Sequence, residues 1–141
     1  DVYKRQAYTL DTSVSPEVSQ IMAYNASAML GLHALIDLNV NYYGWTQDQV
    51  ADYLKQFFSI DQEQVAEAIY QAVRSNPSNY VAYYGGYCEI MKMKTEAENT
   101  LKEQFQPLRF HQFLLDMGPM PFAVMDKYFK AWLLTYSLGG E

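Results

Sequence analysis

From Val18 to Val40 the chain is dominated by apolar residues, rich in Ala, Leu and Met, and between Ala26 and Leu38 they fall on nearly every side of a helical projection. Such a segment predicts a buried helix, since a surface helix keeps its apolar residues on one stripe. Ser15-Pro16-Glu17 marks its start, with proline suited to the first helical position, and Asn39, Asn41 and Gly44 end it. Thr46-Gln47-Asp48-Gln49 reads as a capping box, and Val50, Tyr53, Leu54 and Phe57 give the apolar stripe of a short helix. Ser59 or Asp61 opens the next helix, whose inner face is predicted at Val65, Ala68, Ile69, Ala72 and Val73.

Asn76 can cap a further helix, with Pro77 in its first turn. Tyr80, Tyr83, Tyr84 and Tyr87 then recur at i, i+3, i+4 and i+7, which places them on one helical face. The pattern continues through Met91, Met93, Ala97 and Leu101. Gly85 and Gly86 lie inside this helix, where each costs about 1 kcal/mol relative to alanine. Close approach of another backbone or of a ligand would account for them. Pro107 opens a helix carrying Leu108, Phe110, His111, Leu114 and Leu115, and Gly118 stops it. Pro119 and Pro121 form a rigid turn before a last helix through Val124, Met125, Tyr128, Phe129 and Trp132. No segment alternates with period two, so the pattern predicts an all-α array of five to six helices with Ala26–Leu38 central.

The 141 residues suffice for one domain with a core, and half of them are hydrophobic. A net charge of −6 argues against a nucleic-acid partner, which calls for a basic face. No apolar run approaches the length needed to span a membrane, so no membrane-spanning segment is expected. Cys88 is the sole cysteine, which rules out an intrachain disulfide and a cysteine metal cluster. Asp1–Gln6, D-V-Y-K-R-Q, reads like the translated end of a library-preparation transposon. These six residues are set aside as a sequencing artefact, and 7–141 are read as the chain proper. The similarity of Q-D-Q-V-A-D-Y-L at Gln47 and Q-E-Q-V-A-E-A-I at Gln62 is what two acidic amphipathic helices produce without duplication.

Self-contained catalytic motifs are missing: there is no H-E-x-x-H, no G-x-S-x-G and no phosphate loop. His33 lies in the apolar helix and reads as a hydrogen-bonded core histidine, while His111, between Phe110 and Phe113, reads as a packing or capping residue. Asp37 stands out, because a buried carboxylate must be paired or hydrogen-bonded. Asn41, one turn on, is its predicted partner in a structural network. The tyrosine face has two readings: amphipathic core residues whose hydroxyls reach the surface, or a functional stripe.

Three motifs in order, L-I-D-L-N-V-N-Y-Y-G-W-T, N-P-S-N-Y-V-A-Y-Y-G-G-Y and F-H-Q-F-L-L-D-M-G-P-M-P-F, closely resemble the C-terminal part of bacterial domain-of-unknown-function family 885. The resemblance runs from about Val14 to Trp132. It implies the C-terminal part of a larger, mostly helical zinc metallopeptidase. The zinc-binding H-E-x-x-x-G-H-like helix and E-G-W-A-like glutamate of such proteins would lie upstream of Ala7, in a missing N-terminal lobe. The N-Y-V-A-Y-Y helix is also similar to the P-Y-x-x-Y-F helix of angiotensin-converting-enzyme-type peptidases. There the first tyrosine holds the substrate's C-terminal carboxylate and the second stabilises the oxyanion. That similarity implies Tyr80 as a substrate-binding residue and Tyr83 as an oxyanion stabiliser, since a phenol is a neutral donor that can be aimed at developing charge. Many family members have His in place of Asn41 and Arg in place of His33, which makes Asn41 a second substrate-binding candidate. No basic residue stands just before Tyr80 to assist carboxylate binding.

The resulting expectation is part of a secreted or cell-envelope zinc peptidase acting on short peptides. By itself this chain would bind no zinc, cleave no peptide, and expose an apolar surface. The alternative is a non-catalytic helical interaction or ligand-binding domain.

Overall fold

A computed structural model describes residue 7 and residues 13–137; the reading of Asp1–Gln6 lies outside the described residues. Among these residues there are six α-helices and no strand, as the periodicity predicts. They are α1 (Pro16–Asn41), α2 (Gln47–Phe58), α3 (Glu63–Ser75), α4 (Asn79–Leu101), α5 (Pro107–Met117) and α6 (Phe122–Ser137), with a 3₁₀ turn at Lys102–Gln104. The chain forms two compact units, residues 1–87 and 88–141, and α4 contributes its first turns to one and the remainder to the other.

In the first unit local signals set most helix ends. Ser15 caps α1, its hydroxyl accepting from the Val18 amide at 3.4 Å, with Pro16 at the first position. Thr46 and Gln49 form the predicted capping box: the Thr46 amide donates to Gln49 Oε1 at 2.9 Å and the Gln49 amide to Thr46 Oγ1 at 3.4 Å. Helix α3 packs against both α1 and α2. The core comprises Leu32, Ile36 and Val40 of α1, Val50 and Leu54 of α2, and Ala66, Ile69 and Val73 of α3, with Trp45, Tyr53 and Tyr80 packed around it.

Several expectations are corrected here. Helix α3 starts at Glu63 behind Gln62, which makes no side-chain cap, because Ser59 instead ends α2 in the left-handed region at φ 55°. Ala66, not Ala68, joins Ile69 and Val73 in the core, and Phe57 is largely exposed. Helix α1 is covered on one side only: Leu32, Ala34, Ile36, Asp37 and Val40 are buried, whereas Ile21, Leu35 and Leu38 are exposed. The apolar surface expected of the chain is therefore present along α1. This helix also contains an 18-residue window of mean hydropathy 1.2, so by length and composition it could cross a membrane. Counting uninterrupted apolar residues misses this, because isolated polar residues break the run without lowering the average much.

The second unit is built around aromatic rings. Met93, Ala97 and Leu101 of α4, Phe110, Phe113 and Leu114 of α5, and Met125, Phe129 and Leu133 of α6 form its core. Phe110 meets Phe129 edge-on with ring centroids 6.4 Å apart, and Trp132 stacks on Phe129 at 6.0 Å. Pro107 opens α5 and Gly118 ends it at φ 63°, as the sequence predicts. His111 sits edge-on to Phe110 at 5.7 Å.

Candidate functional site

The buried carboxylate of Asp37, 1% exposed, organises the start of the tyrosine helix. Its Oδ1 accepts from Asn41 Nδ2 at 2.8 Å and from the Ser78 amide at 2.9 Å. Its Oδ2 accepts from the Tyr80 amide at 3.2 Å. Asn41 Nδ2 also donates to the carbonyl of Val73, in the last turn of α3, at 3.0 Å. The i, i+4 pair Asp37–Asn41, legible in the sequence, thus ties α1 to the end of α3 and the beginning of α4. A buried carboxylate needs several donors to offset its lost hydration, and here two of the three are backbone amides.

This arrangement corrects the predicted helix start. Asn76 follows the last residue of α3 and does not open α4. The chain turns through Pro77 and Ser78, the latter left-handed at φ 66°, and α4 begins at Asn79. The first amides of a helix have no intrahelical acceptor. In α4 a carboxylate 41 and 43 residues earlier in the chain accepts two amides of this turn. A negative charge at a helix N-terminus also interacts favourably with the aligned peptide dipoles.

The four tyrosines separate into different environments. Tyr80 is partly buried, packs on the first core, and lies against His33 with ring centroids 4.9 Å apart and planes at 38°. Tyr84 reaches α1, where a Cβ added at Gly31 would stand 3.0 Å from its Cζ. Tyr87 stacks on Tyr84 at 6.1 Å. Tyr83 is 53% exposed. Gly85 has nothing within 4 Å of where a Cβ would be, so no close approach accounts for it, whereas Gly31 of α1 does meet one.

The structure therefore joins Asn41 and Tyr80 through Asp37, the former by its side chain and the latter by its backbone, and sets Tyr83 one turn beyond. His33, read from sequence as a satisfied core histidine, does hydrogen-bond, its Nδ1 lying 2.8 Å from the Met29 carbonyl. Its contact with Tyr80 places an imidazole beside the tyrosine that lacks a basic neighbour in sequence. Nothing in the spacing of residues 33 and 80 signals that contact.

The donor set does not fit a zinc centre. Among the described residues no three His, Cys, Asp or Glu side chains stand close enough together to hold a metal ion. Asp37 has both oxygens engaged by N–H donors, and His33 Nδ1 is engaged by Met29.

The fold and this site define a class: an all-α protein whose tyrosine-bearing helix is fastened by a buried carboxylate from a preceding helix. The family model described as "Bacterial protein of unknown function (DUF885)" matches residues 9–128, and the chain belongs to that family. No curated protein and no solved structure matches it.

Proposed function

We propose that this chain is the substrate-contacting helical part of a zinc-dependent peptidase that hydrolyses short peptides, with α4 presenting the tyrosines to the peptide. The metal belongs outside the described residues, and no step assigned here runs through it. Tyr83 donates its phenolic proton in a hydrogen bond to the oxygen that gains negative charge as the peptide carbonyl becomes tetrahedral. That bond strengthens as charge develops, so it acts on the barrier more than on binding. Tyr80 donates to the peptide's terminal carboxylate, with His33 beside it as a second polar group. Asn41 has both amide hydrogens engaged by Asp37 and Val73, which leaves its amide oxygen as the acceptor for a substrate N–H.

The observation that carries this reading is the exposure of Tyr83 one turn beyond an anchored helix start. The test is Tyr83→Phe in the complete gene product, assayed on short peptides. The expected result is a fall in kcat on the order of 10²-fold or more with KM little changed. Tyr80→Phe raises KM instead, and matters less for peptides with a blocked C-terminus. Unchanged kcat in a folded Tyr83→Phe protein would remove the oxyanion assignment. A second reading, a non-catalytic helical interaction or ligand-binding domain, draws on the apolar face of α1, where Ile21 is 66% exposed. An inactive complete gene product that still binds peptide would favour it.

A further inference from the structure

We infer that Asp37, held by Asn41, is the positioning residue of the tyrosine face: it sets where the Tyr83 hydroxyl stands by fixing the first turn of α4 in trans. This rests on the functional reading of Tyr83 above. Three observations carry it. The turn into α4 supplies no local substitute, since the side chains of Asn76, Ser78 and Asn79 accept none of these amides and Pro77 has no N–H to give. Both carboxylate oxygens are used, and they grip amides on either side of Asn79, which fixes the direction of the helix as well as its origin. Asn41 bridges the same carboxylate to the Val73 carbonyl, so the anchor is itself held from two helices. Tyr83 lies about 4.5 Å along the axis from Tyr80. A change in the pitch or tilt of the first turn therefore passes directly to its hydroxyl, and hydrogen bonds to a developing charge weaken steeply with misplacement.

Asp37→Asn isolates this role because it keeps the size of the side chain. Oδ1 of Asp37 faces two N–H groups and Oδ2 one, so in either orientation the new NH₂ group meets a donor and at least one anchoring bond is lost. In the 141-residue chain, amide hydrogen exchange read by NMR should quicken about ten-fold or more at Ser78 or Tyr80, whichever faces the new NH₂ group, while the buried amides of α1 and α3 keep their protection. Unchanged exchange at Ser78 and Tyr80 in the folded variant would overturn the inference. In the complete gene product, Asp37→Asn should lower kcat about ten-fold with a smaller change in KM, and should lower it little further when Tyr83→Phe is already present. An equal loss of kcat in both backgrounds would show a general structural role and would also overturn it. If Tyr83→Phe alone leaves kcat unchanged, the peptidase reading of Tyr83 fails; the exchange data then decide the anchor separately. Should Asp37→Asn not fold, Asn41→Ala loosens the same carboxylate from one side and is read by the hydrogen exchange at Ser78 and Tyr80, unchanged exchange again overturning the inference.

Discussion

Gly31→Ala alters α1 where the Tyr84 ring lies against it, and two opposing terms decide its sign. Glycine in a helix interior costs about 1 kcal/mol relative to alanine, so the substitution alone should stabilise α1 by that amount. The new methyl would stand 3.0 Å from Tyr84 Cζ and 3.2 Å from both Cε2 and the hydroxyl oxygen, so the ring must retreat by a few tenths of an ångström. Overpacking of this kind typically costs about 1–3 kcal/mol. Because the atoms met are at the far end of a tyrosine with two rotatable bonds, the lower end applies, and the net change in the native background is about zero. With Tyr84→Ala the obstacle is gone, and Gly31→Ala should then stabilise by about 1 kcal/mol. Urea unfolding followed by Trp45 fluorescence in a Trp132→Phe background reports the first unit alone. A change of 1 kcal/mol moves the midpoint by roughly 0.5 M. If Gly31→Ala gives the same increment with and without Tyr84, the close approach imposes no constraint and the reasoning fails.

Phe129, fully buried and touching Phe110, Phe113 and Trp132, should cost about 3–5 kcal/mol when cut to alanine. In a Trp45→Phe background the emission of Trp132 should shift to the red; an unshifted spectrum with unchanged melting would contradict the assigned core. Burial, and secondarily the positive charge of Lys94, hold the imidazole of His111 below its usual pKa, so its neutral form is favoured in the folded state. Its contribution to stability is therefore complete above the unfolded value near 6.5 and is lost as pH falls through the window below it. An NMR titration of the His111 ring should show a depressed midpoint that rises with Lys94→Gln, and a midpoint at or above 6.5 would count against this account.

What the sequence disclosed was local. Ser15, Thr46 with Gln49, Pro107 and Gly118 act within one turn of themselves, so the ends they set could be read directly. Asp37 with Asn41 was legible for the same reason, being one turn apart. The start of α4 was not, because its cap is supplied from 41 residues away and Asn76-Pro77 imitates a local one. The exposed side of α1 was hidden for another reason. A helix apolar all round has no polar face to mark which side stays uncovered, so Leu35 and Leu38 read like Ile36. The tyrosine spacing correctly gave one face, but degrees of burial within it depend on α1, and hence on where Gly31 lets Tyr84 in. Membership of the family was legible from the three motifs, while the pairing of His33 with Tyr80 required coordinates.

The remote anchor of α4 also has a bearing on the order in which the chain becomes structured. A helix with its own cap can begin to form as soon as its residues are free. The first turn of α4 must wait until Asp37 has been brought back across the whole of α2 and α3. Closing a loop of that length carries an entropic cost of about 3 kcal/mol beyond a constant term, reduced once those two helices have shortened the path. The same helix, further along, shares a core with α5, which follows it after a short connection, as well as with α6. Growth of α4 from its C-terminal half backward, with Tyr80 and Tyr83 the last of it to settle, is the route that defers the long-range closure until the intervening helices have formed.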